Sequence, residues 1–236
     1  GEDGYIPALL DMLGLKYTHS GVVPSMLGFD KTLAYKVFKT HGIRFANNKI
    51  ISKKDGLKKD PMRRPYVIKP ISEGSSFGVQ LVFEEDDFDF ANYEWKYGDT
   101  VIVEEYIPGK ELQVAVLDGK AVGIMDIIPL KRDFYDYDSK YKKGFAEHIV
   151  PAKLDKQIEK HIFEISEKIH KAFGCKTMSR IDLRYDPKKS KEGVHVLEIN
   201  THPGMTSTSA FPEICLHHGI TKENILEQLI KDALSD

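Results

Sequence analysis

SRIDLRYDPKKSKEGVHVLEIN, residues 179–200, is the stretch that decides the fold. Residues 179–185 and 194–199 carry the apolar and β-branched side chains that suit a pleated surface. The polar segment 187–193, with Pro187 and Gly193 at its ends, turns the chain between them. Just upstream, Ile158, Ile162, Ile165, Ile169 and Phe173 recur at helical spacing across residues 155–173, and Gly174 follows as a stop. A helix therefore feeds an antiparallel hairpin. The same alternation holds elsewhere. Residues 112–128 alternate in part around Asp118-Gly119, a strong two-residue hairpin signal. Residues 66–70 and 78–83 read as strands around a glycine and serine loop, and 100–107 is a strand bounded by Pro108-Gly109. Helices are predicted over 5–13, over a short stretch that Asp30 caps and Gly42 ends, and over 220–234. The chain is mixed α+β, with a unit boundary near 107–109.

Composition narrows the function classes. With 34 basic against 36 acidic residues the net charge is −2, which excludes a generally basic nucleic-acid binder. Hydrophobic residues at 41% argue against disorder. No apolar run approaches the roughly 18 residues of a membrane span. Neither a nucleic acid nor a membrane is expected as a partner. Cys175 and Cys215 lack CxxC spacing, so reducing cytoplasm is the default location. The chain opens Gly1-Glu2-Asp3-Gly4, without an initiator Met, and no strand precedes the 5–13 helix that would pack on it. The expectation is a fragment or a processed chain.

Arg180, Asp182, Glu198 and Asn200 form the strongest constellation. Residues two apart on a strand share a face, so Glu198 and Asn200 project together, and an antiparallel neighbour would bring Asp182 and Arg180 beside them. Two carboxylates and an amide oxygen, with no Cys or His, suit a hard cation such as Mg²⁺. A solvated face with an Arg180–Asp182 ion pair would use the same residues. Glu73-Gly74-Ser75-Ser76-Phe77-Gly78, just after Lys69, offers small residues and hydroxyls to phosphate oxygens, although a tight hairpin would too. Gly74 to Gly78 also fits the G-x-S-x-G pattern of serine hydrolases, but a strand follows where that motif needs a helix, which disfavours Ser76 as nucleophile. Lys31, Lys69 and Lys140 are candidate polyphosphate clamps. Lys69 stands out because it sits in an apolar strand, where an unpaired charge is costly. Residues 134–141, polar and aromatic, read either as a lid that excludes water or as a surface loop. Glu104 and Glu105 face opposite sides of a strand and cannot work as a carboxylate pair. Together these pieces describe a site for Mg-ATP.

The ordered motifs resemble those of the D-alanine–D-alanine ligase family. They are Gly1-Glu2-Asp3-Gly4, Phe29-Asp30-Lys31, Val67-Ile68-Lys69-Pro70 through Ser76, the 135–141 segment, Arg180-Ile181-Asp182, and Glu198 through Thr206. The resemblance implies the ATP-grasp fold, two α+β units clasping ATP, with a remnant of an N-terminal α/β domain. Divided that way, residues 1–26 are the remnant, 27–107 the central subdomain and 108–236 the catalytic one. It implies that Lys31, Lys69 and Lys140 contact ATP phosphates. Glu104 and Ile107 would meet adenine, mainly through the backbone, and Glu111 the ribose. Asp182, Glu198 and Asn200 would hold two Mg²⁺ ions, or Mn²⁺. Ser75 and Tyr141 would join phosphate loop to lid, Arg180 with the Gly204 backbone would stabilise the tetrahedral oxyanion, and Ser209 and Ala210 would hold the carboxylate of the second D-alanine. Tyr141 resembles ligases that make the dipeptide rather than an ester with D-lactate. Glu105 stands where the family often has a lysine, and the family's longer N-terminal domain, with a glutamate that orients the first D-alanine, is not in this sequence. The implied product is D-alanyl-D-alanine for peptidoglycan, made in the cytoplasm by an enzyme that is commonly a homodimer. Two rival readings stay open: another ATP-grasp carboxylate–amine ligase, and a Mg-ATP-binding module without turnover.

Overall fold

The computed structural model of the chain describes residues 2–74, 76–129 and 146–235. Its helices are α1 (Tyr5–Met12), α2 (Val22–Phe29), α3 (Lys31–Thr40), α4 (Lys156–Ala172), α5 (Ala210–His217) and α6 (Lys222–Ser235). Its strands are β1 (Asn48–Ser52), β2 (Tyr66–Pro70), β3 (Gln80–Val82), β4 (Thr100–Glu105), β5 (Lys110–Leu117), β6 (Lys120–Pro129), β7 (Ala146–Ile149), β8 (Met178–Tyr185) and β9 (Val194–Asn200). They form two sheets, ordered β1-β4-β2-β3 and β7-β6-β5-β8-β9. The chain divides into two compact units. One comprises the described residues of Gly1–Phe45, Gly109–Ile128 and His148–Asp236, the other those of Ala46–Pro108 and Pro129–Glu147.

In the first unit local chemistry sets the elements. Asp155 caps α4 by accepting from Gln157 N at 2.8 Å, and Gly174 leaves the helix at φ +70°. The apolar stripe Ile158, Ile162, Ile169 and Phe173 is buried against the sheet. Asp118 and Gly119 both take positive φ (51° and 72°), as a type I′ turn between β5 and β6 requires. β9 pairs antiparallel with β8, and the register slips by one residue between Asp182 and Leu183. Val196 opposes Leu183 and Glu198 opposes Asp182, so Leu197 is the extra residue of a β-bulge. That bulge lets Val194, Val196 and Ile199 point into the core while Glu198 and Asn200 point away.

The second unit surrounds Ile51, Tyr66, Ile68, Val82, Phe90, Val101 and Val103, with Tyr93 and Trp95 packed against them. Several elements depart from the sequence reading. The strand expected over 78–83 is only Gln80–Val82, and the 187–193 turn is a 3₁₀ segment. Four strands or α-helices were not anticipated, one of them the four-residue β7. β1 is an edge strand with one buried residue, so it shows no alternation. α2 carries Pro24 and Gly28, residue types that disfavour a helix interior. Pro24 sits in the first turn, where no intrahelical bond is lost. At Gly28 an added Cβ would lie 3.2 Å from Thr201 Cγ2 and 3.3 Å from the Ile199 carbonyl, so the small residue lets α2 approach β9. α5 is short, with no full apolar period. The 134–141 segment lies outside the described residues.

Candidate functional site

On the first unit's sheet the register lines up polar residues. Arg180 opposes Asn200 and Asp182 opposes Glu198, while Gln113 opposes Asp182 and Glu111 opposes Arg184 from β5. Directly paired residues share a face. Ser179, one residue out of phase, meets His170 of α4 (Oγ to Nδ1 2.8 Å), so the polar row lies on the opposite side of the sheet from α4. Asp182 is 4% exposed. Its carboxylate accepts from Arg180 Nε at 2.7 Å and Nη2 at 2.9 Å, and from Gln113 Nε2 at 3.2 Å. The Arg180–Asp182 pair weighed in the sequence therefore exists, but on a buried carboxylate rather than a solvated one.

Carboxylates facing each other across two strands repel unless positive charge lies close. Arg180 supplies one such charge. The remaining donors, oxygens of Asp182, Glu198 and Asn200, suit a hard divalent cation as another. Among the described residues no cluster of three or more His, Cys, Asp or Glu stands assembled for a metal. A cation here would complete its shell with water and phosphate oxygens, which is the habit of Mg²⁺. Asn200 Oδ1 is oriented by accepting from His202 N at 2.9 Å. The His202 ring stands 4.5 Å from that of His19, whose pKa burial, and then the neighbouring His202, lowers to about 4.

Past β9 the chain gathers Gly204, Ser209 and Ala210. Ser209 Oγ accepts from Thr206 N at 3.1 Å and shares a hydrogen bond with the Thr206 hydroxyl at 2.8 Å. An added Cβ on Gly204 would meet that Oγ at 2.8 Å. Ala210 opens α5, whose N-terminal N–H groups and dipole favour an anion such as a carboxylate. Lys31, 6% exposed, begins α3, which Asp30 caps by accepting from Thr32 N at 2.8 Å and Leu33 N at 3.1 Å.

In the second unit Lys69 Nζ lies 2.6 Å from Glu104 Oε2, with side-chain exposures of 12% and 3%. The charge expected to need a partner has one. Glu105 points the other way and accepts from Asn47 Nδ2 at 2.8 Å. Ile107, just beyond β4, is buried. In the glycine loop Phe77 N donates to Gly74 O and Val79 N to Ser76 O, and Ser76 takes φ +61°. β3 follows rather than a helix, so the nucleophile geometry of a serine hydrolase is not built. Ser75, Lys140 and Tyr141 lie outside the described residues.

Residues 31–231 match the family profile described as D-ala D-ala ligase C-terminus. A D-alanine–D-alanine ligase of Rickettsia bellii (strain RML369-C) is 50% identical over 233 residues, covering 99% of this chain and 72% of that protein. This chain belongs to the D-alanine–D-alanine ligase family. The crystal structure of the Bacillus anthracis D-alanine–D-alanine ligase complexed with ATP superposes with a TM-score of 0.79 at 26% identity, over 100% of this chain and 76% of that one. VanG, a D-Ala:D-Ser ligase of Enterococcus faecalis, gives 0.82 at 30% identity, over 99% and 69%. The two α+β units are those of the family's ATP-grasp fold. No described helix is long and apolar enough to cross a membrane.

Sequence reasoning on this family chain missed the residues that hold the motif residues in place. Gln113, 5% exposed, supports Asp182. Arg184 reaches Glu111 Oε2 from Nη1 at 3.4 Å and the Gly109 carbonyl from Nη2 at 3.1 Å. Two further side-chain pairs of the first unit lie outside the motifs: Lys110 with buried Asp126, and His148 Nδ1 at 2.8 Å from Glu213 Oε2 in the first turn of α5. The one available signal was strand parity. It puts Gln113 with Glu111, and Arg184 with Asp182, without saying which strand is the neighbour.

Proposed function

We propose that this chain is an ATP-dependent ligase that joins two D-alanines into D-alanyl-D-alanine. The observation that carries the reading is the row Arg180, Asp182, Glu198 and Asn200 on one sheet face in a chain of this family. The γ-phosphoryl group of ATP passes to a carboxylate oxygen of the first D-alanine, and ADP leaves. The amine of the second D-alanine attacks the acyl carbon, and collapse of the tetrahedral intermediate expels phosphate. Lys31, Lys69 and Lys140 bind the polyphosphate, Glu104 and Ile107 the adenine, and Glu111 the ribose. Arg180, with the Gly204 N–H, stabilises the oxyanion. Ser209 and Ala210 bind the acceptor carboxylate at the start of α5. Ser75 and Tyr141 close the site, because an acyl phosphate must be kept from water. Asp182, Glu198 and Asn200 would hold Mg²⁺, which neutralises polyphosphate charge when bound.

We also propose the division 1–26, 27–107 and 108–236, and the change of compact unit between Pro108 and Gly109 supports its second boundary. A homodimer and cytoplasmic residence are part of the same reading. Exposed Tyr5, Ile6, Leu9 and Met12 on α1 support a covered surface there, and the free Cys175 and Cys215 fit a reducing location.

The test is phosphate release from Mg-ATP with D-alanine, with L-alanine as control and D-serine and other amino acids as further acceptors. D-alanine-dependent release with dipeptide formation is expected. ATP binding without release would replace the ligase by a nucleotide-binding module, and release with a different acid would reassign the substrate.

A further inference from the structure

We infer that Arg184 is a positioning residue that fixes the Glu111 carboxylate for the nucleotide ribose. The inference rests on the reading of Glu111 as ribose partner. Glu111 and Arg184 are directly opposed on β5 and β8, on the face that carries Asp182 and Asn200. Their side chains are 15% and 16% exposed, so neither moves freely in water. One guanidinium spans two points, Glu111 Oε2 on the neighbouring strand at 3.4 Å and the carbonyl of Gly109 just before that strand at 3.1 Å. The planar fork of arginine holds such a pair of acceptors in fixed relation, which a lysine cannot do.

The carbonyl end of this fork is closely packed. Gly109 takes φ +100°, and an added Cβ would fall 2.2 Å from the Tyr185 carbonyl, so the backbone leading into β5 rests directly on the residue after Arg184. The guanidinium thus refers the Glu111 carboxylate to backbone packed at van der Waals limits. A carboxylate offers about four acceptor sites. It can receive hydroxyls of a sugar diol while Arg184 holds it.

Affinities for ATP and for 2′,3′-dideoxyATP, measured by calorimetry on the whole chain, test the inference. Both nucleotides carry the same triphosphate and base, so their ratio cancels any general effect of removing a positive charge. Arg184→Met should lower the ATP-to-dideoxyATP ratio by at least about threefold and leave dideoxyATP affinity within about twofold of the parent. Glu111→Gln should lower the ratio similarly, and the double variant should lose no more than either alone. Arg184→Lys, which keeps charge and stem but not the fork, should behave like Arg184→Met and serves if the latter misfolds. A ratio that falls in Glu111→Gln but not in the Arg184 variants would overturn the positioning role and leave the ribose reading intact. A ratio unchanged in Glu111→Gln would remove the ribose reading itself, and the inference with it.

Discussion

Replacing Glu104 by Gln should unravel the second unit well before the first. Lys69 and Glu104 meet at 2.6 Å with side-chain exposures of only 12% and 3%. At an effective dielectric near 20 their attraction is about 6 kcal/mol, most of it offset by the cost of drying both groups. Breaking a buried pair from one side costs about 3–5 kcal/mol, because the abandoned charge stays dry. The ammonium keeps slight access to water, which places Glu104→Gln near the lower end, about 3 kcal/mol. For a unit of this size that corresponds to a drop of about 10–20 °C in Tm. Trp95 makes the assay specific. It is the sole tryptophan and packs against Tyr93 (ring centroids 5.1 Å) and Phe90 (6.3 Å) within the same core. Its fluorescence during urea unfolding follows this unit alone. Lys69→Met combined with Glu104→Leu should recover most of the loss, since a matched apolar pair leaves no charge stranded. A Glu104→Gln transition within about 0.5 kcal/mol of the parent would refute the burial argument.

Gly78→Ala should weaken the same unit by about 2 kcal/mol or more, because φ is +68° and the new methyl would lie 2.5 Å from the Tyr97 ring; the Trp95 transition reads it out. Asp60 gives an acid dependence. Burial alone would raise its pKa, but hydrogen bonds from Arg64 and Tyr66 and the Arg64 charge outweigh it and hold the carboxyl below its ordinary value. A depressed carboxyl stabilises the fold above its unfolded pKa and loses that contribution as pH falls through the folded one. Asp60→Asn should therefore flatten the decline in the urea midpoint between about pH 4 and pH 2. Asp182→Asn should cut D-alanine-dependent phosphate release by more than about 100-fold, as even outer partners of metal ligands cost 10–100-fold. Fluorescence and circular dichroism should show the variant still folded.

What could be read directly was whatever a single strand or helix decides by itself. The period of Ile158 to Phe173, the Asp118-Gly119 turn and the shared facing of Glu198 and Asn200 depend only on neighbours in sequence. α2, β1 and α5 escaped because tertiary packing, not local pattern, makes them form: β1 has one buried residue and α2 owes its place to the Gly28 approach. The partners of the candidate site escaped for a different reason. Lys69 with Glu104, Gln113 with Asp182 and Arg184 with Glu111 are all cross-strand pairs, set by register, and register is a property of two strands together.

The bulge at Leu197 makes β9 tolerant of a change in chain length that β8 cannot accept. Deleting Leu197 would leave Val194-His195-Val196-Glu198-Ile199-Asn200, which alternates inward and outward from end to end. Every side chain would keep the face it has now. β8 has no such slack between Arg180 and Tyr185, where each residue opposes one partner on β5. Losing one residue there would turn Asp182 toward α4 and an isoleucine or leucine toward the face that carries Arg180 and Glu198. Shortening the hairpin is therefore a question of which strand is shortened, and only β9 carries a residue to spare.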